Sequence, residues 1–394
     1  MFRKNKINIS ILSALLFIVS FYSYSQNLYW AGFAFIGNKD QNFRYPVAIS
    51  IFEEEKSLLS RKLKETLKNL KRSDVNIIFD QGKISSGDAK ALAFGVMDES
   101  LERIITEYGI STHYSIYGQV MIFDYNDKRM IANYPVLVRY TSITDEIPSK
   151  ESDIKQYKDM YLNLDSKVSV FNQWLKMFEK TRINEIKNKA TIGVGRILYG
   201  DEVKKSLPNN LKKNEVWKTR IAQKIEYNIA SQHNVPLVPY TAGEAIGGKG
   251  SSGLFTRFTD SVSKVLTLPD KDFLFDVRVK GFRYKMNEGD FEVQHIWAAY
   301  IEFNLNADYD DDELTNLVNE NFRYLSESRF SKKANVKILD QWAVNETLLA
   351  NLINKFVVQI KTKDEKEIKN ITDTKFNDVK NKFTKIEEVF KKCM

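Results

Sequence analysis

Cysteine is nearly missing from this chain of 394 residues: Cys393, next to the carboxyl end, is the only one. No intramolecular disulfide can form, so the fold rests on its core, and Cys393 is left as a free thiol or an intermolecular link. Histidine is scarce too. His113, His233 and His295 fall in three different predicted elements, and no two have the spacing of a zinc site. No G-x-S-x-G elbow is present to anchor a Ser-His-Asp hydrolase. No two of the 51 acidic residues stand out as a glycosidase pair. Past the amino-terminal end, no apolar run approaches the roughly 18 residues of a spanning helix. These absences predict a protein that is not an enzyme, with no catalytic residue, no metal and no cofactor.

What is present begins with a leader. Arg3, Lys4 and Lys6 precede an apolar run from Ile9 to Phe21, and Ser23-Tyr24-Ser25 offers small residues before Gln26. This is the pattern of a secretory signal peptide over 1–25, too short to span a bilayer. No cysteine follows it, which excludes a lipoprotein signal. The mature chain is expected to be exported: periplasmic, outer-membrane-associated or extracellular, with no transmembrane helix after cleavage. Loss of Arg3, Lys4 and Lys6 takes the formal net charge from +8 to +5. That mild excess favours weak contact with an anionic envelope surface. It lacks the clustered basic stripe of a nucleic-acid binder.

The chain also repeats itself. Ile116-Tyr117-Gly118-Gln119-Val120 recurs as Val279-Lys280-Gly281-Phe282-Arg283, an offset of 163. The same offset lays Ala34-Phe35-Ile36-Gly37 on Ile197-Leu198-Tyr199-Gly200, and Tyr134 to Tyr140 on Trp297 to Phe303. Asn172-Gln173-Trp174 meets Asp340-Gln341-Trp342 at an offset of 168. Two tandem units are expected, over 26–189 and 190–360. What repeats is apolar spacing and glycine position, with no repeated polar constellation. A repeated Trp at a repeated place predicts a plug for the core of each unit.

Each unit reads as strand, helix, strand, helix, hairpin and trailing helices. In the first, Leu28 to Gly37 is a short apolar strand, Glu53 to Leu70 a leucine-faced helix, and Val75 to Phe79 a strand. Ala89 to Tyr108 reads as a helix stopped at Gly109. His113 to Asp124 and Met130 to Ser142 form a hairpin around Tyr125-Asn126-Asp127-Lys128. Helices follow over Asp153 to Leu164 and Val170 to Asn188. In the second unit, Thr191 to Gly200 and Val235 to Tyr240 read as strands. Trp217 to Gln232 and Leu254 to Leu266 read as helices, and Phe273 to Met286 with Phe291 to Asn304 as a hairpin. Helices are then expected over Asp311 to Phe330 and Val336 to Ile360. The fold class is α/β (α+β), with helices packed on a small mixed sheet in each unit. The last stretch, 361–394, is lysine-rich. Its Phe376, Val379, Phe383, Ile386 and Phe390 make an amphipathic helix that either docks a partner or packs back on its own unit.

The order strand, leucine-rich helix, strand, helix, then a strand carrying Ile116-Tyr117-Gly118-Gln119-Val120 resembles the amino-terminal domain of TolB and curli-secretion-type envelope α/β domains. That resemblance covers about Leu28 to Thr141, and again Thr191 to Leu305. It implies envelope assembly or transport.

Two motifs resemble known sites and fail on inspection. Gly243-Glu244-Ala245-Ile246-Gly247-Gly248-Lys249-Gly250 follows a predicted strand and has the G-x-x-x-x-G-K core of a phosphate loop. The next residue should be Ser or Thr to hold magnesium, yet Gly250 stands there and Ser251 comes one place late. The stretch Gly243, Gly247, Gly248, Lys249 and Ser251 is better read as a mobile loop open to partner contact. Asp308-Tyr309-Asp310-Asp311-Asp312-Glu313 suggests calcium, but Glu313 and Asn319 stand where an EF-hand needs Gly and Glu. It reads instead as the acidic start of a helix. The functional expectation is a non-enzymatic exported envelope protein, a scaffold or binding component with envelope proteins or its own copies as partners. The second reading is a periplasmic binding protein that takes an envelope glycan or lipid in the cleft between the units.

Overall fold

The computed structural model describes residues 25–37, 39–80, 89–106, 108–181, 183, 190–212, 216–241, 253–259, 263–308, 315–332 and 341–394. The leader and the loop of Gly243, Gly247, Gly248, Lys249 and Ser251 lie outside them, as does most of the acidic run.

The apolar run at Leu28 forms β1 (Gln26–Ile36), a strand inside a seven-stranded sheet. Leu28, Trp30, Phe33 and Phe35 enter one core, while Ala31, Ala34 and Ile36 enter another on the opposite face. Burial on both faces is why the strand reads as a continuous apolar run. The expected helix from Glu53 to Leu70 is instead two, α1 (Pro46–Glu54) and α2 (Leu58–Leu67), parted where Glu55 is extended at φ −149°. Pro46 opens α1, where its missing N–H costs nothing. Then β2 (Val75–Ile78) pairs in parallel with the start of β1.

The largest correction falls on 89–108. The stretch read as a helix is β3 (Lys90–Thr106), parallel to β1 and antiparallel to β4 (Gly109–Asp124). Leu92, Phe94 and Val96 face the first core, and Ala91, Ala93 and Met97 face the other. With both faces buried, no polar–apolar alternation marks the strand, and Ala and Leu bias a local reading toward helix. Gly109 does not stop a helix. It opens β4 at φ 122°, where an added Cβ would lie 2.7 Å from the Thr144 carbonyl oxygen. The element order behind the TolB-like resemblance is therefore not the order found. β5 (Met130–Thr144) completes the expected hairpin. α3 (Lys150–Leu162), capped by Ser149, and α4 (Val170–Lys180) cover the first core. Trp174 plugs that core among Trp30, Phe94 and Phe178.

The second half begins with β6 (Ile192–Tyr199), the short α5 (Asp201–Ser206) and α6 (Asn209–Lys212), and α7 (Val216–His233). Val235 to Tyr240 makes only one bridge, Gly193 to Val238. The helix expected from Leu254 to Leu266 is two strands, β7 (Gly253–Phe258) and β8 (Lys264–Thr267). Buried Leu254, Thr256 and Phe258 alternate with exposed Phe255, a period of two that favours strand. β7 pairs antiparallel with β1, so this segment of the expected second unit builds the first sheet.

A four-stranded sheet follows: β9 (Phe273–Glu288), β10 (Glu292–Ala307) and β11 (Thr315–Ser331), with β6 on the far side of β9. β11 replaces the helix expected from Asp311 to Phe330. Buried Val318, Glu320 and Phe322 alternate with exposed Asn319 and Asn321, again a strand period. α8 (Gln341–Thr362), α9 (Glu365–Ile371) and α10 (Phe376–Cys393) cover its inner face.

Both sheets share one plan. The order β5-β4-β3-β1 in the first matches β11-β10-β9-β6 in the second, with β3–β1 and β9–β6 parallel and the other pairs antiparallel. In this match β9 stands where β3 stands. Val96, paired with Phe35, corresponds to Val279, paired with Tyr199, and each precedes a shift in register. Gly118 on β4 and Gly281 on β9 are not equivalent, so the offset of 163 is not the structural one.

Candidate functional site

The two halves meet along a buried polar seam. In the β3–β4 ladder, Asp98 lies opposite Tyr117, Ser100 opposite Ser115 and Glu102 opposite His113. Directly opposed residues share a face, so β3 aims Asp98, Ser100 and Glu102 away from the first core. Glu99, one residue out of step, points into it. α7 arrives on the polar face. Its Trp217, Ile221, Ile225 and Ile229 enter the second core. Arg220 and Lys224, one turn apart, reach the sheet.

Arg220 Nε donates to Asp98 Oδ2 at 2.8 Å, and Arg44 Nε reaches Asp98 Oδ1 at 3.4 Å. Asp98 is fully buried. Lys224 Nζ lies 3.8 Å from Glu102 Oε1, with both side chains 4% exposed. Glu346 of α8 completes the group through a side-chain hydrogen bond with Glu102. Burial pushes the Glu346 pKa up and the Glu102 charge adds to this, against the pull of Lys224. Burial works to lower the Lys224 pKa, but Glu346, Tyr117 and Glu102 outweigh it and raise it. Burial likewise opposes Arg220, and the charge of Asp98 before all prevails over it. The result is three bases held by Asp98, Glu102 and a Glu346 that tends to keep its proton. Such a cluster fixes register between two bodies more than it adds stability.

On the other face, Glu99 caps a helix from a distance. Val47 N and Ala48 N of α1 donate to its two oxygens, both at 2.9 Å, and Tyr161 Oη donates at 3.0 Å. Burial nonetheless raises its pKa to about 7. The amides and the tyrosine pull the other way and lose to desolvation.

An open cavity of about 410 Å³ lies between the β4–β5 hairpin and the start of α3, lined by Tyr114, Tyr140, Ser142, Glu146, Ser152 and Gln156 among others. Its wall is braced by Asp153, which accepts from Tyr114 Oη at 2.8 Å and from Arg103 Nη2 at 2.7 and 2.6 Å. Burial, then the Asp153 bond, pushes the Tyr114 pKa up to about 12, so its hydroxyl is a fixed donor.

A second exposed feature is the far end of the β9–β10–β11 ribbon. These strands run past α8, whose Trp342 meets Phe282 at 5.7 Å. Beyond that point His295 stacks on Trp297 at 5.3 Å and meets Phe330 edge-on at 5.4 Å. Tyr284 Oη and His295 Nδ1 are 2.8 Å apart. Tyr284 (45% exposed) and Met286 (48%) lie on this face, Phe291 (87%) is at the turn beside it, and Leu325 (50%) is exposed as well. Tyr284 lies opposite Trp297, while Leu325 lies opposite Ala298 on the other face. Both faces of the ribbon end thus carry apolar side chains.

The residues singled out from sequence lie elsewhere. Gly243, Gly247, Gly248, Lys249 and Ser251 fall outside the described residues. In α10, Val379, Phe383, Ile386 and Phe390 are buried in the second core and Phe376 packs against it, so this face is covered by its own chain. Cys393 is buried there too, which raises its thiol pKa to about 12. The histidines stay apart: His113 pairs with Thr141 at 2.8 Å and His233 with the Val357 carbonyl at 3.0 Å. Among the described residues no group of three His, Cys, Asp or Glu side chains could hold a metal ion. None of their helices is long and apolar enough to cross a membrane. The seam went unseen because its charges come from distant parts of the chain, from Arg44 at one extreme to Glu346 at the other. The ribbon end could have been found from the aromatics crowded between Phe282 and Trp297.

No protein-family model matches the chain, and no curated protein matches it. Among solved structures it is similar to a minor lipoprotein from Acinetobacter baumannii, at 8% identity and a TM-score of 0.22, over 48% of this chain and 98% of that one.

Proposed function

We propose that this chain is an exported, non-enzymatic envelope protein, a scaffold or binding component that meets its partner through the end of the β9–β10–β11 ribbon. The observation that carries this reading is the exposure of Tyr284, Met286 and Phe291 at the end of the ribbon, with Leu325 exposed on its opposite face. A soluble fold covers such side chains unless something else does. The leader at 1–25 supports export, and the polar seam supports a body that holds its two sheets in fixed register. A glycan or lipid held between the halves gains no support, because α7, Arg220 and Lys224 fill that space.

The test is site-specific crosslinking in intact cells. A photoreactive residue at Phe291 should trap an envelope component, and one at exposed Lys385 of α10 should not. Phe291→Ser with Met286→Ser should abolish co-purification of that component while leaving the far-ultraviolet spectrum unchanged. Equal crosslinking from both positions, or no product from Phe291, would remove the ribbon from consideration.

A further inference from the structure

Two periodicities meet at the cavity beside α3. On β5, Tyr140, Ser142 and Thr144 recur every second residue and share a face of the sheet. They lie opposite Tyr114, Thr112 and Ile110 of β4. On α3, Ser152 and Gln156 are one helical turn apart and share a face of the helix. The turn over 145–149 brings these faces together, and with Glu146, Ile147 and Pro148 they enclose about 410 Å³. That volume is in the range of small-molecule sites, about 300–1,000 Å³. Tyr114 and Tyr140 pair across the strands with ring centroids 6.0 Å apart. Asp153 holds the Tyr114 hydroxyl and Arg103 holds Asp153, so this ring is fixed in place. Ile147, 54% exposed, adds an apolar edge beside Pro148.

We propose that this cavity binds a neutral sugar, as a mono- or disaccharide unit of a glycan. A sugar ring has an apolar C–H face, which suits a tyrosine ring. Its rim of hydroxyls both donates and accepts, which suits the Ser142, Thr144 and Ser152 hydroxyls, the Gln156 amide and the Glu146 carboxylate. Thr112, opposite Ser142 and fully buried, has a hydroxyl with no hydrogen-bond partner, so this face keeps further bonding capacity unspent. An anion fits badly. Among the described residues that line the cavity none is Lys or Arg, and Ser149 Oγ already accepts from Ser152 N at 3.2 Å at the start of α3. An ammonium group would use the tyrosines and Glu146 but leave the serines and Gln156 unpaired. The cavity lies on the opposite face of the first sheet from the ionic seam, and its occupancy is independent of partner contact at the ribbon.

The purified protein is probed by saturation-transfer NMR with cellobiose, maltose, lactose and di-N-acetylchitobiose. At least one of them is expected to bind, with the strongest transfer to protons on one face of a ring. Tyr140→Ala should weaken that binding roughly tenfold, and Tyr140→Phe should keep it. Gln156→Ala should weaken it about fivefold. Glu146→Gln should change it by less than about threefold, because the amide oxygen still accepts a hydrogen bond. Lys385→Ala on α10 should leave it unchanged. Tyr140 also packs against the first core, so thermal midpoints are compared for every variant, and half-buried Gln156 decides the matter if Tyr140→Ala unfolds. Absence of binding by all four sugars overturns the proposal, as does binding indifferent to Tyr140→Ala and Gln156→Ala. Displacement of the sugar by tetramethylammonium, lost in Glu146→Gln, would assign the cavity to a cation and overturn it as well. If no sugar binds while crosslinks from Phe291 persist, this site alone falls.

Discussion

Arg220 of α7 and Asp98 of β3 join the two halves of the protein across 2.8 Å, with Asp98 fully buried. Arg44 shares the same carboxylate. In the matched strand order, the second sheet has Gly281 where the first has Asp98, so the joint belongs to one sheet only. Asp98→Asn leaves two buried guanidinium groups without their counter-charge and should cost about 3–5 kcal/mol in urea unfolding. Glu346→Gln should cost under about 1.5 kcal/mol, because burial already favours a neutral Glu346 and the amide retains a hydrogen bond to Glu102. Equal losses from the two variants would contradict this division of charge.

Glu99 makes stability fall as pH rises. Its pKa is about 7 in the fold against an ordinary 4.5, so the folded state holds a proton that the unfolded state has released. The contribution is fully present below about 4.5 and is lost as pH rises through 7. The change is on the order of 3 kcal/mol. Glu99→Gln should flatten the stability profile between these values, measured by chemical denaturation at a series of pH values.

His113 acts in the opposite sense. Burial, then Arg139, lowers its pKa from 6.5 to about 4. Between those values the unfolded chain binds the proton and the fold does not, so stability grows as pH rises through that window. His113→Asn should shrink the acid-side loss and leave stability above pH 7 nearly unchanged. A nitrogen-15 titration of the ring should still find it neutral at pH 5.

Phe383 sits at the centre of the α10 face, 1% exposed, with its ring 6.0 Å from Phe322 and 5.8 Å from Phe356. Phe383→Ala should destabilise by about 3–5 kcal/mol. A helix that served only to dock a partner would tolerate the change, so a thermal midpoint that stays put would argue against the packing described.

Gly118 is required by close approach. A Cβ there would meet Phe94 Cζ at 2.5 Å and the Gly95 carbonyl oxygen at 2.9 Å. Gly118→Ala should cost about 1–3 kcal/mol through overpacking. Gly118→Ala combined with Phe94→Leu should cost less than the two changes summed, since the smaller side chain opens that space.

Much of this architecture is legible in one dimension. The β4–β5 and β9–β10 hairpins are marked by turn residues between long apolar runs, and α7 and α10 by apolar residues three and four apart. β7 and β11 read as helices, because the period of two in their burial runs through Thr256 and Glu320, polar residues that no apolar alternation marks. β3 reads as a helix for another reason. Its burial on both faces erases the alternation that a window of sequence can detect.

The sequence by itself determined the α/β class and the absence of any disulfide framework, because composition and local periodicity act over a few residues. Only the tertiary structure decided that β7 crosses into the first sheet, that α10 covers the second core and that the sheet–helix seam is ionic. Asp98, Glu102, Arg220, Lys224 and Glu346 read along the chain as ordinary solvated charges. A charge can stay buried only beside its partner, and here each partner comes from a distant element, so the seam exists only once the chain has folded.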